Sequence, residues 1–263
     1  MKKVIGMIGA GNMGGAIIRR INQSYKILVC EKDMARRRML KRTSRVIFAE
    51  LPMVARKADI IFLAVKPQDI DAVLNELRPF LTARQRVISI AAGITTTYIE
   101  KKLRARIRVI RTMPNLPAMI GEGMTALCAG KYAKSADLKE AEKIFNQVGA
   151  TMIVKESLMD AVTAVSGSGP AYVFLVAECL QKAARSLGFT EEVAATLVNQ
   201  TLTGSVHLLT KENVAAGELR ARVTSKGGTT QAAMNVFFKR GIEKIFDEAL
   251  NAARKRAGEL SRR

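Results

Sequence analysis

The sequence has one histidine, three cysteines and few aromatic residues, at 5% of the chain. Each shortage excludes something. Cys30, Cys128 and Cys179 are odd in number and widely spaced, which fits neither a disulfide framework nor a zinc site and points to a reducing cytoplasm with no bound metal. Apolar runs such as 60–65 fall far short of the roughly 18 residues a membrane span needs, so no membrane partner is expected. Met1-Lys2-Lys3 leads into a glycine-broken strand rather than a secretory apolar region, which adds to the expectation of a cytoplasmic protein. No repeat or low-complexity stretch appears. His207 falls in an apolar stripe and reads as packed core, so the chain offers no histidine as a general base.

Charge, by contrast, is abundant. Lys and Arg number 43 against 23 Asp and Glu, a formal net charge of +20. A nucleic-acid partner would cluster such charge and interleave it with aromatics. Here Arg19-Arg20, Arg36-Arg37-Arg38, Lys101-Lys102 and Arg254-Lys255-Arg256 are scattered among acidic residues. They read as solvated surface that also draws in an anionic cofactor or substrate, with no nucleic acid bound.

The stretch that organises the chain is its start, where an apolar run from Val4 breaks into Gly9-Ala10-Gly11-Asn12-Met13-Gly14 ahead of an apolar helix. Strand, tight turn and helix with G-x-G-x-x-G spacing describe a dinucleotide site, the glycines allowing the turn, the approach of a pyrophosphate and helix-on-strand packing. Further short apolar runs at 27–30, 45–48, 60–65, 86–90, 107–111, 124–127 and 152–154 alternate with helical patterns at 13–23, 34–42, 68–77, 97–103 and 138–148. That alternation predicts an α/β Rossmann-like doubly wound sheet over residues 1–156. Residues 157–263 then read as helices only, with wide apolar stripes such as Val193, Leu197, Val198, Leu202, Val206 and Leu209. A second copy of the chain is the natural partner for so much apolar surface.

Ligands of such a sheet sit beyond the carboxyl ends of its strands. There the sequence places Glu31, a carboxylate suited to the adenosine ribose and hostile to a 2′-phosphate, which favours NADH over NADPH. Val65-Lys66-Pro67 ends the fourth strand with Lys66 facing the cofactor. Ala91-Ala92-Gly93 ends the fifth with side chains small enough for a flat ring to come close. The stretch 111–117 reads as a two-proline loop that stiffens Asn115. In the helical half, Thr224-Ser225-Lys226-Gly227-Gly228-Thr229-Thr230 opens a helix with free amides and hydroxyls, a ready carboxylate pocket. Without a histidine base, reduction of a protonated imine suits the chain better than oxidation of an alcohol, since an iminium already carries its activating charge.

Gly9 to Gly14, Ala64-Val-Lys-Pro67, Ala91-Ala-Gly93, Met113-Pro-Asn115, Ser166-Gly-Ser-Gly-Pro-Ala-Tyr172 and Val223-Thr-Ser-Lys-Gly-Gly-Thr-Thr230 together resemble the pyrroline-5-carboxylate reductase family. The resemblance implies NADH- or NADPH-dependent reduction of 1-pyrroline-5-carboxylate to L-proline, the last step of proline biosynthesis. It implies an all-α C-terminal dimerisation domain whose helices interlock as a homodimer, with decamers as a further assembly. By position it sets the 9–14 loop, Lys66, Ala92 and Asn115 around the cofactor. It sets Glu156, Ser225, Gly228, Thr229 and Thr230 at the substrate, with Thr230 bonding the ring nitrogen. Lys226 stands where the family usually has proline, and Arg222 where it commonly has a smaller polar residue. The alternatives are a 3-hydroxyacid dehydrogenase-like oxidoreductase, whose lysine after a glycine-rich segment has no counterpart before Lys182, and a non-catalytic nucleotide-binding protein.

Overall fold

A computed structural model describes residues 2–104 and 106–261. Two compact units emerge from its contacts, one of Met1–Pro170 with Ala252–Arg263 and one of Ala171–Asn251.

The first unit alternates β1 (Val4–Ile8), α1 (Asn12–Ile21), β2 (Lys26–Cys30), α2 (Met34–Thr43), β3 (Val46–Phe48), α3 (Leu51–Lys57), β4 (Ile60–Leu63), α4 (Ile70–Leu77), β5 (Arg86–Ser89), α5 (Thr96–Leu103) and β6 (Arg108–Pro114). Then come β7 (Gly123–Ala129), α6 (Ser135–Phe145), β8 (Gly149–Ile153) and α7 (Met159–Val162). The strands form one sheet in the order β3-β2-β1-β4-β5-β6-β7-β8. Its chain order reverses between β1 and β4, the crevice where such sheets take dinucleotides.

The central strands are continuous apolar runs because helices cover both of their faces. Ile60 to Leu63 are fully buried. One face packs Ile17, Ile18 and Ile21 of α1, Leu40 of α2 and Ile144 and Phe145 of α6; the other packs Val54 of α3, Leu74 of α4 and Ile99 of α5. At the amino ends of β5 and β6, Asp137 is buried among charges. It accepts from the Lys134 N–H at 2.8 Å, pairs with Arg86 and lies 3.3 Å from Arg108. Burial opposes its ionisation, but that amide and the two guanidinium groups outweigh it and hold the carboxyl below its ordinary range.

Three features depart from the sequence reading. Helix α3 falls where no helix is expected, its short apolar set of Leu51, Val54 and Ala55 giving too little periodicity to read, although Pro52 sits in its first turn. β7 runs antiparallel to β6, so the sheet is mixed. Residues 111–114, expected in a loop, continue β6, because β7 pairs with them as far as Pro114 opposite Thr125. Pro114, at the strand's last residue, occupies a position that needs no ladder N–H.

The second unit is helical: most of α8 (Gly169–Ser186), α9 (Glu191–Glu212), α10 (Ala216–Arg222), α11 (Thr229–Lys239) and the start of α12 (Ile242–Ser261). Thr190 caps α9 by accepting from the Val193 N–H. Of the α9 stripe, Val198 is buried while Leu197 and Val206 are 48% and 55% exposed. His207 is exposed too, not core. The segment Glu156–Ser186 is long and apolar enough to cross a membrane by length and composition, against the expectation from contiguous runs. The difference arises because small and polar residues interrupt its apolar positions without lowering their average.

Candidate active site

The glycine turn has the form its spacing implies. Gly9 adopts φ +83°, donates its N–H to the Cys30 carbonyl at 2.8 Å, and would press a Cβ to 2.7 Å from the Ala64 carbonyl oxygen and 3.0 Å from Val65. Gly14 would press one to 2.9 Å from the Gly9 oxygen, so α1 can lie this close to β1 only with glycine there. Gly11 is the N-cap of α1 and offers no side-chain cap. The first amides of α1 are thus left to an incoming group, and at Gly11 nothing nearer than the Arg36 guanidinium, 3.9 Å from a Cβ, stands in its way. The residues present therefore fit a pyrophosphate, with backbone donors and a helix dipole facing it.

Glu31 follows β2, and its side chain is 7% exposed. One carboxylate oxygen accepts from the Ala10 N–H at 2.7 Å and the other from the Asp33 N–H at 2.8 Å. Glu31 thereby ties the glycine turn to the β2–α2 corner. A carboxylate accepts about four hydrogen bonds, so capacity for ribose hydroxyls remains. Two neighbours missing from the sequence reading complete the corner. Asp33 caps α2, accepting from the Ala35 and Arg36 N–H groups, and those amides hold its carboxyl below the usual range. Arg36 lies 3.9 Å from both Glu31 and Asp33. The signal for Asp33 was an acidic residue just ahead of a helical pattern.

Across the crevice, Lys66 ends the β4 loop, with Pro67 in the first turn of a short 3-10 helix. Ala91 and Ala92 follow β5, Ala91 donating its N–H to the Ser89 hydroxyl at 3.3 Å. Asn115 stands just past β6, where its side chain accepts from the Met124 N–H at 2.8 Å and donates to the Ser166 carbonyl at 3.2 Å. Glu156 is held by protein groups, accepting from Thr96 N–H at 2.7 Å and Thr96 hydroxyl at 2.5 Å and pairing with Arg111 at 3.5 Å. Burial pushes the Cys128 thiol up to about 12, which removes it as a nucleophile.

In the second unit, Gly228 is the N-cap of α11 and supplies no side-chain cap. Gly227, at φ +72°, turns the chain, and its N–H donates to the Gln231 side chain at 2.6 Å. Thr229 and Thr230 begin the helix, and the Thr230 hydroxyl bonds to no other described residue. Ser225 and Lys226 are exposed. Arg222 is occupied by Glu218 at 2.7 Å and Glu212 at 3.3 Å.

Both units have counterparts among known proteins. Residues 4–93 match the family described as NADP oxidoreductase, coenzyme F420-dependent, and residues 156–260 match pyrroline-5-carboxylate reductase dimerisation. The chain is 39% identical to pyrroline-5-carboxylate reductase of Synechocystis, covering 98% of each, and 36% identical to that of Mycobacterium leprae, covering 97% of this chain and 96% of the relative. It belongs to the pyrroline-5-carboxylate reductase family. The solved enzyme from Coxiella burnetii superposes with a TM-score of 0.93 at 36% identity over the whole of both chains. The Plasmodium falciparum enzyme, with NADP bound, gives 0.86 at 29% identity over 99% of this chain and 98% of that one. Family membership makes this chain an oxidoreductase of proline biosynthesis that acts on a C=N bond with a nicotinamide cofactor, and it removes the hydroxyacid dehydrogenase and non-catalytic alternatives.

Proposed function

We propose that the reduction of 1-pyrroline-5-carboxylate to L-proline is carried out by the residues above in two groups. The first holds the cofactor. Gly9, Ala10, Gly11, Asn12, Met13 and Gly14 take the pyrophosphate on the α1 amides. Glu31 takes the adenosine ribose and favours NADH. Val65, Lys66, Pro67, Ala91, Ala92 and Asn115 line the nicotinamide half. A nicotinamide cofactor, when bound, supplies the hydride.

The second group holds the substrate. The Thr229 amide, with the Ser225 hydroxyl, takes its carboxylate beside Gly228, whose own N–H is already given to the Ser225 carbonyl at 3.0 Å; Thr230 accepts from the ring N–H and orients the ring as the catalytic residue. The observation that carries this is the free α11 start: a glycine cap, open amides and an unbonded Thr230 hydroxyl in one turn. The iminium is already protonated, so hydride addition at the imine carbon yields the secondary amine without a general base. Glu156, which lies in the first unit with Thr96 and Arg111 on its carboxylate, is a further substrate-binding residue.

Residues 1–156 are the dinucleotide-binding domain and residues 157–263 the dimerisation and substrate domain. The exposed apolar side chains of α8 and α9 support a homodimer over a membrane-bound state, and dimers assemble further into a decamer. The enzyme works in the cytoplasm. Purified full-length protein should oxidise NADH steadily with pyrroline-5-carboxylate and not in reverse with 3-hydroxy acids. No turnover with pyrroline-5-carboxylate would overturn the assignment.

A further inference from the structure

β6 is read by its neighbours with the strand's period of two. Arg111 and Met113 alternate along it and Asn115 follows just past its end, and each grips a different point of the segment from Glu156 to Gly167. Arg111, only 4% exposed, lies 3.5 Å from Glu156 and 3.5 Å from Asp160. Met113 packs on Gly167 so closely that a Cβ there would come 2.5 Å from its methyl carbon. Asn115 donates to the Ser166 carbonyl at 3.2 Å and the Ser166 hydroxyl at 3.4 Å. The gripped segment ends in a π-helical turn, Thr163–Gly167, closed by the Ser168 N–H on the Thr163 carbonyl at 2.8 Å. π turns are less stable than α-helix and concentrate at functional sites. This one follows α7 in the chain, is held by the residues at the end of β6, and precedes the start of α8 at Gly169.

We propose that this face of β6 fixes the π turn for catalysis, with Gly167 and Ser166 as positioning residues for hydride transfer that act through Met113 and Asn115. The proposal rests on the reductase reading above. Asn115 is bonded on both sides of its amide, to Met124 and to Ser166, so moving the π turn moves the strand end beside the nicotinamide. An alanine at 167 would clash only with the end of the Met113 side chain, 2.5 Å from its methyl carbon, and no positive φ forbids it, so the substitution displaces Met113 without straining the backbone and makes the contact separable from the fold.

The test is a steric exchange in the full-length enzyme. Gly167→Ala should lower kcat on the order of ten- to a hundredfold, the cost of a misplacement near 1 Å, with KM for NADH unchanged. Met113→Ala in the same chain should return most of the rate by making room for the added methyl. The isotope effect with NADH deuterated at the transferred hydrogen should rise in Gly167→Ala and fall back in the double variant. A role in stability alone would lower the melting temperature and leave kcat and the isotope effect in place. Wild-type kcat in Gly167→Ala, or a folded Gly167→Ala that Met113→Ala does not rescue, would overturn the proposal. Should Gly167→Ala not fold, Ser166→Ala decides: a lower kcat with a raised isotope effect supports it, and an unchanged pair overturns it. A wild-type enzyme that does not reduce pyrroline-5-carboxylate would instead bring down the reductase reading.

Discussion

The two units bury their apolar residues to very different extents. In the first, strands and helices close over each other until Ile5, Ile17, Ile60 and Phe62 are fully inaccessible, and the buried carboxylate of Asp137 has its partners. In the second, Ala194 is fully buried, but Val173, Phe174, Leu175 and Leu197 of the long helices stay about half exposed. Equal apolar content thus leads to opposite outcomes. A period of two between two helical layers satisfies itself within one chain. Helical stripes facing outward need another surface, and a contiguous exposed set of this kind marks an interface. The first unit carries its stability in its own interior; the second draws part of it from assembly.

A matched pair of substitutions would break that comparison if it is wrong. Ile47 on β3 and Leu197 on α9 are 49% and 48% exposed. Leu197→Glu should abolish assembly or unfold the protein, because a carboxylate buried in an apolar interface without a partner costs several kcal/mol. Leu202→Glu should act alike. Ile47→Glu should change stability by no more than about 0.5 kcal/mol. Light scattering on all three checks this, and a stable dimer from both leucine variants would refute the interface.

Within the first unit the largest effect is expected at Asp137. Asp137→Ala leaves Arg86 and Arg108 facing each other in a buried site and should cost about 3 to 5 kcal/mol. Its acid dependence has a definite sign. The native carboxyl is held below its unfolded value, so its stabilisation is complete above about pH 4 and is lost as pH falls through the native pKa. Asp137→Asn should therefore flatten the decline of melting temperature below pH 4. An equally steep decline in that variant would mean that other carboxylates dominate.

How much of this was legible in the sequence follows the same division. Runs such as 60–65 and the Gly9–Gly14 turn declare themselves because their residue types have few other uses. The antiparallel β7 was hidden, since direction depends on pairing partners far along the chain. Residues 111–117 were read as a loop because Pro114 and Pro117 are turn residues, yet β7 keeps 111–114 in the sheet and so sets Arg111 and Met113 on one face. Glu31 was legible as a carboxylate at the right strand end, but its bond to the Ala10 amide joins residues that only the fold brings together. His207, on a helix stripe, looked buried because a stripe cannot say whether its own chain or another covers it.

The chemistry sharpens the comparison, because each unit should control a separate kinetic quantity. Thr230→Ala, in the second unit, should lower kcat/KM for pyrroline-5-carboxylate roughly ten- to a hundredfold, the worth of one hydrogen bond to a charged group, and leave NADH binding alone. Thr230→Ser should keep much of the activity. Gly228, not Thr230, caps α11, so the alanine variant should also keep its melting temperature. A destabilised protein with near-normal turnover would show that Thr230 serves the helix and not the substrate.

The smallest effect is expected at Glu31, in the first unit, and it concerns a ratio and not a rate. Its carboxylate anchors the Ala10 amide at 2.7 Å, so any substitution loosens the turn and slows reaction with either cofactor. That common loss cancels when kcat/KM with NADH is divided by kcat/KM with NADPH. What remains is the difference between a carboxylate that bonds ribose hydroxyls and one that faces a 2′-phosphate. Wild type should favour NADH, and Glu31→Ser should shift the ratio about tenfold toward NADPH, roughly 1.4 kcal/mol. Asp33 sets an upper bound on the shift, because its carboxylate stays at the α2 amides and continues to repel a phosphate. Arg36, freed from Glu31, works in the opposite direction. A wild type that prefers NADPH tenfold, or a ratio that Glu31→Ser leaves unmoved, would place selectivity elsewhere in the corner.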